Sequence, residues 1–441
     1  MPKSLTRRSF VSGAPAGAYV LGASASTPRS FNDKVTVGMI AVGARAQELL
    51  EGIKMVEGVE IVAICDAYKG RLERAVERSE GRAKIYDNYR KIFDDDTIDA
   101  VTIATPDHWH KQQVIEALEA GKDVYCEKPL TYTVSEGLEI AEAVKRTGKL
   151  LQIGSQGMSS DTQHKAREII RSGRLGRVTM IRASYNRNSS SGAWLYPIPP
   201  DASPETVDWE SFLGSAPKHH YDLERFFRWR CYRDYSGGIA TDLFVHLCTT
   251  IHFLMDAKMP ATVAARGNLY RWKESRDVPD TLNAILEYPE GFTVNLSSTF
   301  NNDYTRGQSF QVLGTEGTLE IGFRDLKFIP GKGRVNNRWI VKSWPRQLEQ
   351  DYHDKIKAHA AALAAANDVR RVKESEEYKE TGRNATLQHL DHFFDSVRSR
   401  KPTVQDVWAG HRAAACAHLI NDSVENDRIV HWDFDKELQR L

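Results

Sequence analysis

The stretch from residue 35 to residue 130 constrains the fold more than any other part of this 441-residue chain. It opens with the apolar run Val-Thr-Val-Gly-Met-Ile and closes with Val-Tyr-Cys-Glu-Lys-Pro-Leu. Short apolar runs alternate with helical patterns between them, at 60–65, 71–79, 100–104 and 110–120. This alternation predicts βαβ units, and hence a parallel sheet with helices on both faces. Because ligands of such sheets bind beyond the carboxyl ends of the strands, the residues that follow each strand are candidates for a site.

Length, charge and cysteine content set broad limits on the class of protein. A chain of 441 residues is too long for one ordinary core, so we expect two domains. Lys and Arg number 60 against 59 Asp and Glu, and this balance gives no argument for nucleic acid or a membrane surface as partner. No apolar run beyond the N-terminus approaches the roughly 18 residues of a transmembrane helix. The five cysteines are scattered, so we expect neither a metal site nor a disulfide framework.

Residues 1–30 have the features of an export signal. The pair Arg7-Arg8 precedes a Gly- and Ala-rich run, and Ala23-Ser24-Ala25 fits a cleavage site of small residues. Paired arginines before a weakly apolar run resemble a bacterial twin-arginine signal, which predicts a periplasmic protein exported after folding. The alternative is a flexible basic tail.

The first strand-to-helix turn is a candidate phosphate-binding turn. The dinucleotide fingerprint GxGxxG falls on Ala41, Gly43 and Ala46, a degraded match because alanine at position 41 resists a positive φ. The backbone N–H groups of a helix that begins there would face a pyrophosphate. We therefore expect Ala41, Gly43, Ala44 and Arg45 to bind the nucleotide.

An acidic residue follows the second predicted strand. Asp66 stands close to the ~20-residue offset at which an acid binds the ribose hydroxyls of a dinucleotide. An acid at this position repels a 2′-phosphate and favours NAD. Lys69 and Arg71 lie close enough in the sequence to leave NADP open.

The tripeptide Glu127-Lys128-Pro129 follows a strand that the pattern places beside the nucleotide. A lysine at this strand end can donate a hydrogen bond to a substrate hydroxyl oxygen and help to carry its proton. The alternative is a surface lysine paired with Glu127.

The sequence from Thr105-Pro106 through Gly121-Lys122 to Glu127-Lys128-Pro129 resembles the Gfo/Idh/MocA family, which includes glucose–fructose oxidoreductase and inositol dehydrogenase. The likeness runs from residue 35 to about 430. It implies a nicotinamide dinucleotide, a sugar or polyol substrate and a homo-oligomer, dimer or tetramer. The positions that it assigns to the cofactor, besides those of the turn and Asp66, are Thr105, Pro106, His110, Glu127, Lys128 and Gln156.

A second chemical cluster follows Gly237-Gly238. The apolar run after these glycines predicts a helix from about residue 239, on which Asp242 and His246 are four residues apart and share one face. An imidazole oriented by a carboxylate is a competent general base for a hydroxyl proton. The alternative is a buried structural hydrogen bond. Sugar dehydrogenases of the family carry Asp-x-x-x-His at this place, although many have a further acid soon after the histidine, which this chain lacks.

The pattern of apolar and polar residues changes after Gln156. A helix is predicted at 162–172, a strand at 177–185 and a loop at 186–204. Alternating runs at 262–269, 281–286, 292–300, 309–313 and 318–321 predict an antiparallel meander with one exposed face. Aromatic faces can bind sugar rings and basic side chains can bind hydroxyls. Our substrate-binding candidates are Tyr185, Arg187, Trp194, Arg233 and Tyr235.

Three further segments are predicted near the C-terminus. Residues 336–344 have strand-like pieces, and 351–380 form a solvated helix or arm. Two amphipathic helices at 384–400 and 404–421 are expected to pack back on the first domain.

These observations predict a two-domain α/β protein. A Rossmann-type parallel sheet (31–155) is followed by an α+β domain with a large, open, mainly antiparallel sheet (156–430) and a tail (431–441). We expect an NAD(P)-dependent oxidoreductase acting on the CH–OH group of a sugar, glycoside or polyol, with His246, Asp242 and Lys128 as catalytic residues. The cofactor would be tightly bound, since a periplasm offers no pool of NAD. The alternatives are an NAD-dependent glycoside hydrolase and a binding protein without turnover.

Overall fold

The computed structural model of the protein describes residues 34–274, 276–304, 307–331, 337–366 and 375–434. The predicted export signal and most of the predicted tail lie outside the described residues. In the described part of the chain, no helix combines the length and the apolar character that crossing a membrane requires.

The first sheet has six parallel strands in the order β3-β2-β1-β4-β5-β6. This order confirms the predicted Rossmann-type sheet. Strands β4 and β5 are buried along their whole length, which explains their continuous apolar runs. The strands are β1 Val35–Ile40, β2 Val59–Cys65, β3 Lys84–Ile85, β4 Ala100–Ile103, β5 Asp123–Glu127 and β6 Leu151–Gly154. The helices are α1 Ala44–Ile53, α2 Lys69–Arg78, α3 Arg90–Phe93, α4 His110–Glu119 and α5 Val134–Thr147.

The second sheet has nine strands in the order β14-β13-β12-β11-β7-β10-β9-β8-β15. It is open and mainly antiparallel, as predicted. The simple meander is wrong, because β7 inserts between β10 and β11 and pairs with β10 in parallel. The strands are β7 Val178–Asn186, β8 Thr262–Asn268, β9 Thr281–Tyr288, β10 Phe292–Thr299, β11 Gly307–Gly314, β12 Gly317–Ile321, β13 Asp325–Pro330, β14 Glu376–Lys379 and β15 Val430–His431.

The second part of the chain contains eight α-helices among the described residues. They are α6 Asp161–Arg171, α7 Trp209–Leu213, α8 Leu223–Phe227, α9 Val245–Met255, α10 Arg338–Val341, α11 Arg346–Ala366, α12 Ala385–Ser399 and α13 Val407–Glu425. Helices α6 and α13 contact strands of this sheet. The strand-like pieces predicted at 336–344 are replaced by α10, because β14 already occupies the edge beside β13. The helix predicted at 351–380 begins earlier, at Arg346, and is described as far as Ala366. Glu376–Lys379, within the same predicted segment, form strand β14 instead.

Helix α12 packs on the first domain. Leu390, Phe393 and Phe394 belong to the same apolar core as strand β1, and Gln152 in β6 donates a hydrogen bond of 2.8 Å to the carbonyl of His389. Helix α13 packs against α5 and α9. The C-terminal helices thus fix the two sheets relative to each other.

Residues 194–231, which we call the covering segment, cross from the second domain to the first. Their backbone exchanges hydrogen bonds with the end of β2, from Lys69 N to Thr206 O (3.0 Å) and from Asp208 N to Ala67 O (2.7 Å). The Trp109 indole donates to Phe212 O at 2.9 Å. The covering segment therefore closes one side of the space beyond the carboxyl ends of the parallel strands.

Candidate functional site

A cleft of about 890 Å³ lies between the carboxyl edge of the parallel sheet, the covering segment and the start of α9. Its size is within the range of small-molecule and cofactor sites. Gly43, Lys128, Gln156, Asp242 and His246 all line it, so the structure brings the two predicted chemical clusters and the nucleotide turn together.

Ala41 begins the turn after β1. Its φ is +63°, the left-handed conformation that alanine resists at a cost of about 1–2 kcal/mol. Hydrogen bonds on both sides maintain it, from Ala41 N to Cys65 O (2.8 Å) and from Val42 N to the Asp66 carboxylate (2.8 Å). Gly43 then starts α1 without a side-chain cap. This uncapped helix N-terminus is suited to a phosphate group.

Asp66 is fixed at the end of β2. Besides Val42, the Tyr68 N–H donates to its carboxylate (2.9 Å), and the Arg71 guanidinium lies 3.5 Å from the same oxygen. Arg71 in turn packs over the rings of Phe226 and Phe227 in the covering segment, each centroid 5.3 Å away. An acid and a base therefore stand side by side where the adenosine ribose of a dinucleotide belongs.

Glu127 ends β5 and is buried. Arg45 Nε donates to its carboxylate at 2.9 Å, and Gln156 Nε2 donates to the same oxygen at 2.9 Å. Burial opposes ionisation of Glu127, but Arg45 and Lys128 outweigh it and keep its pKa below the ordinary value. Arg45 Nη2 is buried without a hydrogen-bond partner among the described residues, at the start of α1. A dinucleotide pyrophosphate fits this orphaned donor and the helix N-terminus beside it.

His110 differs from the other predicted cofactor residues. Thr105 and Pro106 line the cleft, whereas His110 does not. Its two ring nitrogens lie 2.6 Å from Pro129 O and 3.0 Å from Thr105 O. Burial lowers the pKa of His110. Its imidazole thus ties together the loops that follow β4 and β5 and acts on the site through them.

Lys128 Nζ donates hydrogen bonds to the Asp242 carboxylate at 2.8 Å and to the Asp242 carbonyl at 3.0 Å. Arg230 Nε donates to the same carboxylate oxygen at 3.0 Å. Burial would raise the pKa of Asp242, but Lys128 and Arg230 outweigh it and hold the pKa well below the ordinary value. Asp242 is therefore an anion that holds two cations in place.

The predicted pairing of Asp242 with His246 differs from what the structure shows. Residues Ala240–Phe244 form a π-helical turn before α9, which takes up an extra residue and changes the angular spacing of the side chains. The Asp242 carboxylate accepts from Lys128 and Arg230, and no described residue forms a hydrogen bond with the His246 ring. Burial and the Lys128 charge lower the pKa of His246 to about 3. The imidazole is therefore neutral near pH 7 and able to accept a proton.

The five substrate candidates fall into three groups. Tyr185 and Arg187 line the cleft, whereas Arg233 and Tyr235 do not. Arg233 forms an ion pair with Glu425, and Tyr235 is fully buried against the ring of Phe212. Trp194 touches the cleft but is fully buried, with its ring edge-on to Phe300 at 4.9 Å, so it presents no open face for a sugar. The alternation of apolar and polar residues in the sequence did not indicate which way these side chains point.

Two residues of the site were not predicted. Arg230 lies in a short 3₁₀ helix, Trp229–Cys231, without a recognisable motif, and only the fold brings it to Asp242. Asp107 follows Thr105-Pro106 and is buried, with Thr241 Oγ1 donating to its carboxylate at 3.3 Å. Burial raises the pKa of Asp107 to about 7. Its position directly after a strand end was the one signal that could have found it.

The sheet order and the cleft at its carboxyl edge define a two-domain dinucleotide-binding protein. Among the described residues, no cluster of three His, Cys, Asp or Glu side chains could hold a metal ion.

Comparison with known proteins gives the family. Residues 35–155 match the family described as "Oxidoreductase family, NAD-binding Rossmann fold", and residues 167–431 match its "C-terminal alpha/beta domain". The chain belongs to the Gfo/Idh/MocA family of oxidoreductases.

The curated relatives match over parts of their length. An inositol 2-dehydrogenase from Salmonella typhimurium is 27% identical over 193 residues, which are 43% of this chain and 55% of that protein. The scyllo-inositol 2-dehydrogenase (NAD(+)) of Bacillus subtilis is 27% identical over 273 residues, 61% of this chain and 68% of the relative. A glycosyl hydrolase family 109 protein of Shewanella baltica is 38% identical over 125 residues, 26% of this chain and 27% of that protein.

Solved structures share the whole fold at low identity. Levoglucosan dehydrogenase in complex with NADH and levoglucosan has a TM-score of 0.67 at 18% identity, covering 90% of this chain and 99% of that one. An aldose–aldose oxidoreductase from Caulobacter crescentus complexed with glycerol has a TM-score of 0.65 at 18% identity, covering 90% and 100%.

Proposed function

We propose that the protein is an oxidoreductase that moves a hydride between a nicotinamide dinucleotide and the CH–OH group of a sugar, glycoside or polyol. The observation that carries the proposal is the single cleft that joins the turn at Gly43 to Lys128 and to the neutral imidazole of His246. The names of the relatives, inositol dehydrogenases and a levoglucosan dehydrogenase bound to NADH, support the same reaction class.

The protein's own groups would handle the proton and the charge. The nicotinamide, when bound, supplies the hydride acceptor or donor. Lys128 would donate a hydrogen bond to the substrate oxygen and stabilise the negative charge that develops there. His246 would take the proton from this oxygen as the carbinol C–H bond breaks, and return it in the reverse direction. Asp242 would act through Lys128, whose ammonium group it holds at 2.8 Å.

The direct test is nucleotide reduction with a panel of sugars and polyols, followed at 340 nm. We expect Lys128→Met and His246→Asn each to lower kcat/KM by roughly 10²–10⁴-fold while the nucleotide remains bound. The control is Lys218→Met, because this exposed lysine pairs with Glu210 away from the cleft. Full activity in both site variants would sink the proposal.

We infer that the cofactor is NAD and that it is held tightly. Asp66 disfavours a 2′-phosphate, and its pairing with Arg71 occupies the cation that a 2′-phosphate would need. The covering segment bridges the ribose end through Arg71 and its backbone bonds to Lys69 and Ala67, which retards exit of the cofactor.

Mass spectrometry of the protein as purified tests both inferences. NAD should appear on denaturation and withstand prolonged dialysis. In fluorescence titrations of protein stripped of nucleotide, Arg71→Ala should weaken the residual binding of NADP more than that of NAD. Arg74→Ala is the matched control, since Arg74 lies on the same helix, exposed and paired with Glu77. NADP as the released nucleotide would contradict the assignment.

A second candidate function is a glycoside hydrolase that oxidises its substrate transiently, eliminates the aglycone and then restores the hydroxyl. The specific support is the 38% identity to the glycosyl hydrolase family 109 protein over 125 residues. Incubation with p-nitrophenyl glycosides and no added nucleotide separates the two functions. Released nitrophenol indicates the hydrolase, whereas redox exchange between two sugars without release indicates the oxidoreductase.

Export by the twin-arginine route is also part of the proposal. It is supported by Arg7-Arg8 and the small-residue site at Ala23-Ser24-Ala25. A protein exported in the folded state can acquire its nucleotide in the cytoplasm. Fusion of residues 1–30 to a reporter should give periplasmic activity that is lost when both arginines are replaced by lysine. Undiminished export of the lysine variant would contradict it.

We propose a homo-oligomer, dimer or tetramer, formed through the uncovered face of the nine-stranded sheet. Residues of β9 alternate between buried and exposed, and the exposed set includes Ile285, with 55% of its surface accessible. Light scattering after gel filtration measures the mass. Ile285→Lys should shift it towards the monomer, and an unchanged mass would exclude this face.

A further inference from the structure

The part of the cleft around Asp242 contains more positive than negative charge. Lys128 and Arg230 bind the Asp242 carboxylate at 2.8 and 3.0 Å, and the charge of Arg187 acts on the same carboxyl group. Three cations therefore surround one anion in a partly buried space, where uncompensated charge is costly. We propose that the substrate carries a carboxylate, as a uronic or aldonic acid does, and that Arg187 and Arg230 bind it. This inference rests on the proposed redox function.

Arg230 is held in a fixed position by two contacts. Its Nε donates to Asp242, and its guanidinium plane packs over the ring of Trp229, with 4.2 Å to the centroid. Neither terminal nitrogen has a hydrogen-bond partner among the described residues, and Arg230 lines the cleft. A planar guanidinium whose two terminal nitrogens are both free presents the edge that binds a carboxylate through two parallel hydrogen bonds.

Arg187 reaches the same end of the cleft from β7. Its Nη1 donates to Gly192 O at 3.1 Å, and its guanidinium lies 5.2 Å from the ring centroid of Tyr185. No described carboxylate is paired with it. The charges of Arg187 and Arg230 both act on the Tyr196 phenol as well as on Asp242, so the two guanidinium groups converge on one region.

The nearby acids do not cancel the surplus. Glu127 is paired with Arg45. Glu380 accepts from the hydroxyls of Ser160 and Thr162, and Arg324, whose carbonyl accepts from the Glu380 N–H, also lines the cleft. Asp107 is buried behind Thr241, and burial raises its pKa to about 7, so it carries less negative charge at neutral pH than an ordinary carboxylate. The oxidised nicotinamide ring adds a further positive charge when bound. A neutral sugar would leave this charge uncompensated, whereas a sugar acid would reduce it.

The placement also fits the reaction. Lys128 and His246 would hold the carbinol oxygen, and Arg230, joined to Lys128 through Asp242, would hold a carboxylate a few bonds away on the same molecule. Two anchoring points fix which carbon faces the hydride position. The carboxylate would therefore contribute to regiochemistry as well as to affinity.

The test compares matched pairs, glucuronate with glucose and galacturonate with galactose, on the protein loaded with its nucleotide. We expect kcat/KM for a uronate to exceed that of its neutral partner by about tenfold or more, and the ratio to shrink at high salt. A second readout needs no turnover, namely calorimetric binding of the same sugars to the NADH-loaded protein. The uronate should again bind about tenfold more tightly.

Variants assign the preference to the arginines. Arg187→Gln should weaken uronate binding by about tenfold and weaken binding of the neutral sugar much less, and Arg187→Lys should recover part of the loss. Arg182→Gln is the control, because Arg182 is exposed on β7, the strand that Arg187 directly follows.

The outcomes separate this inference from the function on which it rests. Neutral sugars oxidised as well as uronates, or a phosphorylated or sulfated sugar preferred to both, would overturn the carboxylate assignment and leave the redox function standing. If no sugar of any charge were oxidised or bound, the proposed function itself would fall.

Discussion

The ammonium group of Lys128 lies 2.8 Å from the Asp242 carboxylate, although 114 residues separate them in the chain. The pair joins the end of β5 in the first domain to the π-helical turn before α9 in the second. It also connects through Asp242 to Arg230. The two domains therefore share one network of charged side chains at the bottom of the cleft.

Asp242→Asn should lower both activity and stability. The substitution leaves two partly buried cations without an anion, which costs about 3 kcal/mol of unfolding free energy. It also frees Lys128 to move, so kcat/KM should fall by about 10²-fold or more. Urea titration and steady-state kinetics measure the two effects. The control, Glu210→Gln, removes an exposed ion pair with Lys218 and should change stability by less than about 0.5 kcal/mol. Equal stability of the two variants would contradict the buried network.

His246 should stay neutral across the working pH range. Its pKa is lowered to about 3 by burial and by Lys128, so it binds no proton between pH 5 and pH 8. The imidazole NMR signals of His246 in the free enzyme should therefore not shift between pH 5 and pH 8. The pH profile of kcat/KM should likewise show no ionisation near pH 6.5 that is present in the natural protein and absent from the His246→Asn variant. A titration of His246 near its ordinary pKa would show that the ring is less buried than the structure indicates.

Gly154→Ala should disturb the nucleotide site. A Cβ atom at Gly154 would lie 2.8 Å from the Glu127 carboxyl group, which is fixed by Arg45 and Gln156 and has little room to move. We expect a loss of roughly 1–3 kcal/mol in unfolding free energy and weaker nucleotide binding. Gly157→Ala is the matched control for stability, because its Cβ would meet no atom within 4 Å. An unchanged unfolding free energy for Gly154→Ala would be the contrary result.

The protein should lose stability as the pH falls from 6.5 towards 4. Burial lowers the pKa of His108 and His389 to about 4, whereas the unfolded chain takes up these protons near pH 6.5. The stability that each contributes is complete above pH 6.5 and is lost on acidification, up to about 3 kcal/mol per residue. Asp107 acts in the opposite sense, because its pKa is raised to about 7 and its ionisation destabilises the fold as the pH rises.

Urea titrations at several pH values check this acid dependence. Burial also lowers the pKa values of His246, His252 and His418. The loss of stability that the five histidines cause on acidification therefore exceeds the gain from Asp107. His389→Asn should give a shallower pH dependence than the natural protein. A stability that is flat from pH 6.5 to pH 4 would refute the assignment of these rings as buried and neutral.

Local sequence patterns were sufficient to predict the parallel sheet and the positions that follow its strands. Alternating apolar runs and helical patterns are local signals, and the carboxyl ends of parallel strands always meet at one edge. Gly43, Asp66, Thr105, Glu127 and Lys128 could therefore be assigned to one site before any coordinates were known. The resemblance of the Glu-Lys-Pro segment to a known family added the reaction class.

The contacts between side chains of different domains depend on how distant parts of the chain pack together. Arg230 reaches Asp242 because the covering segment folds back over the cleft. No local sequence pattern predicts this position of the segment. Because of the π-helical turn, the Asp242 carboxylate binds Lys128 and Arg230 and does not bind the His246 ring. The extra residue in this turn changes the angular spacing of side chains on which the helical prediction relied. Arg233 and Tyr235, by contrast, point away from the cleft. Side-chain direction in irregular segments depends on long-range packing, which a local pattern does not encode.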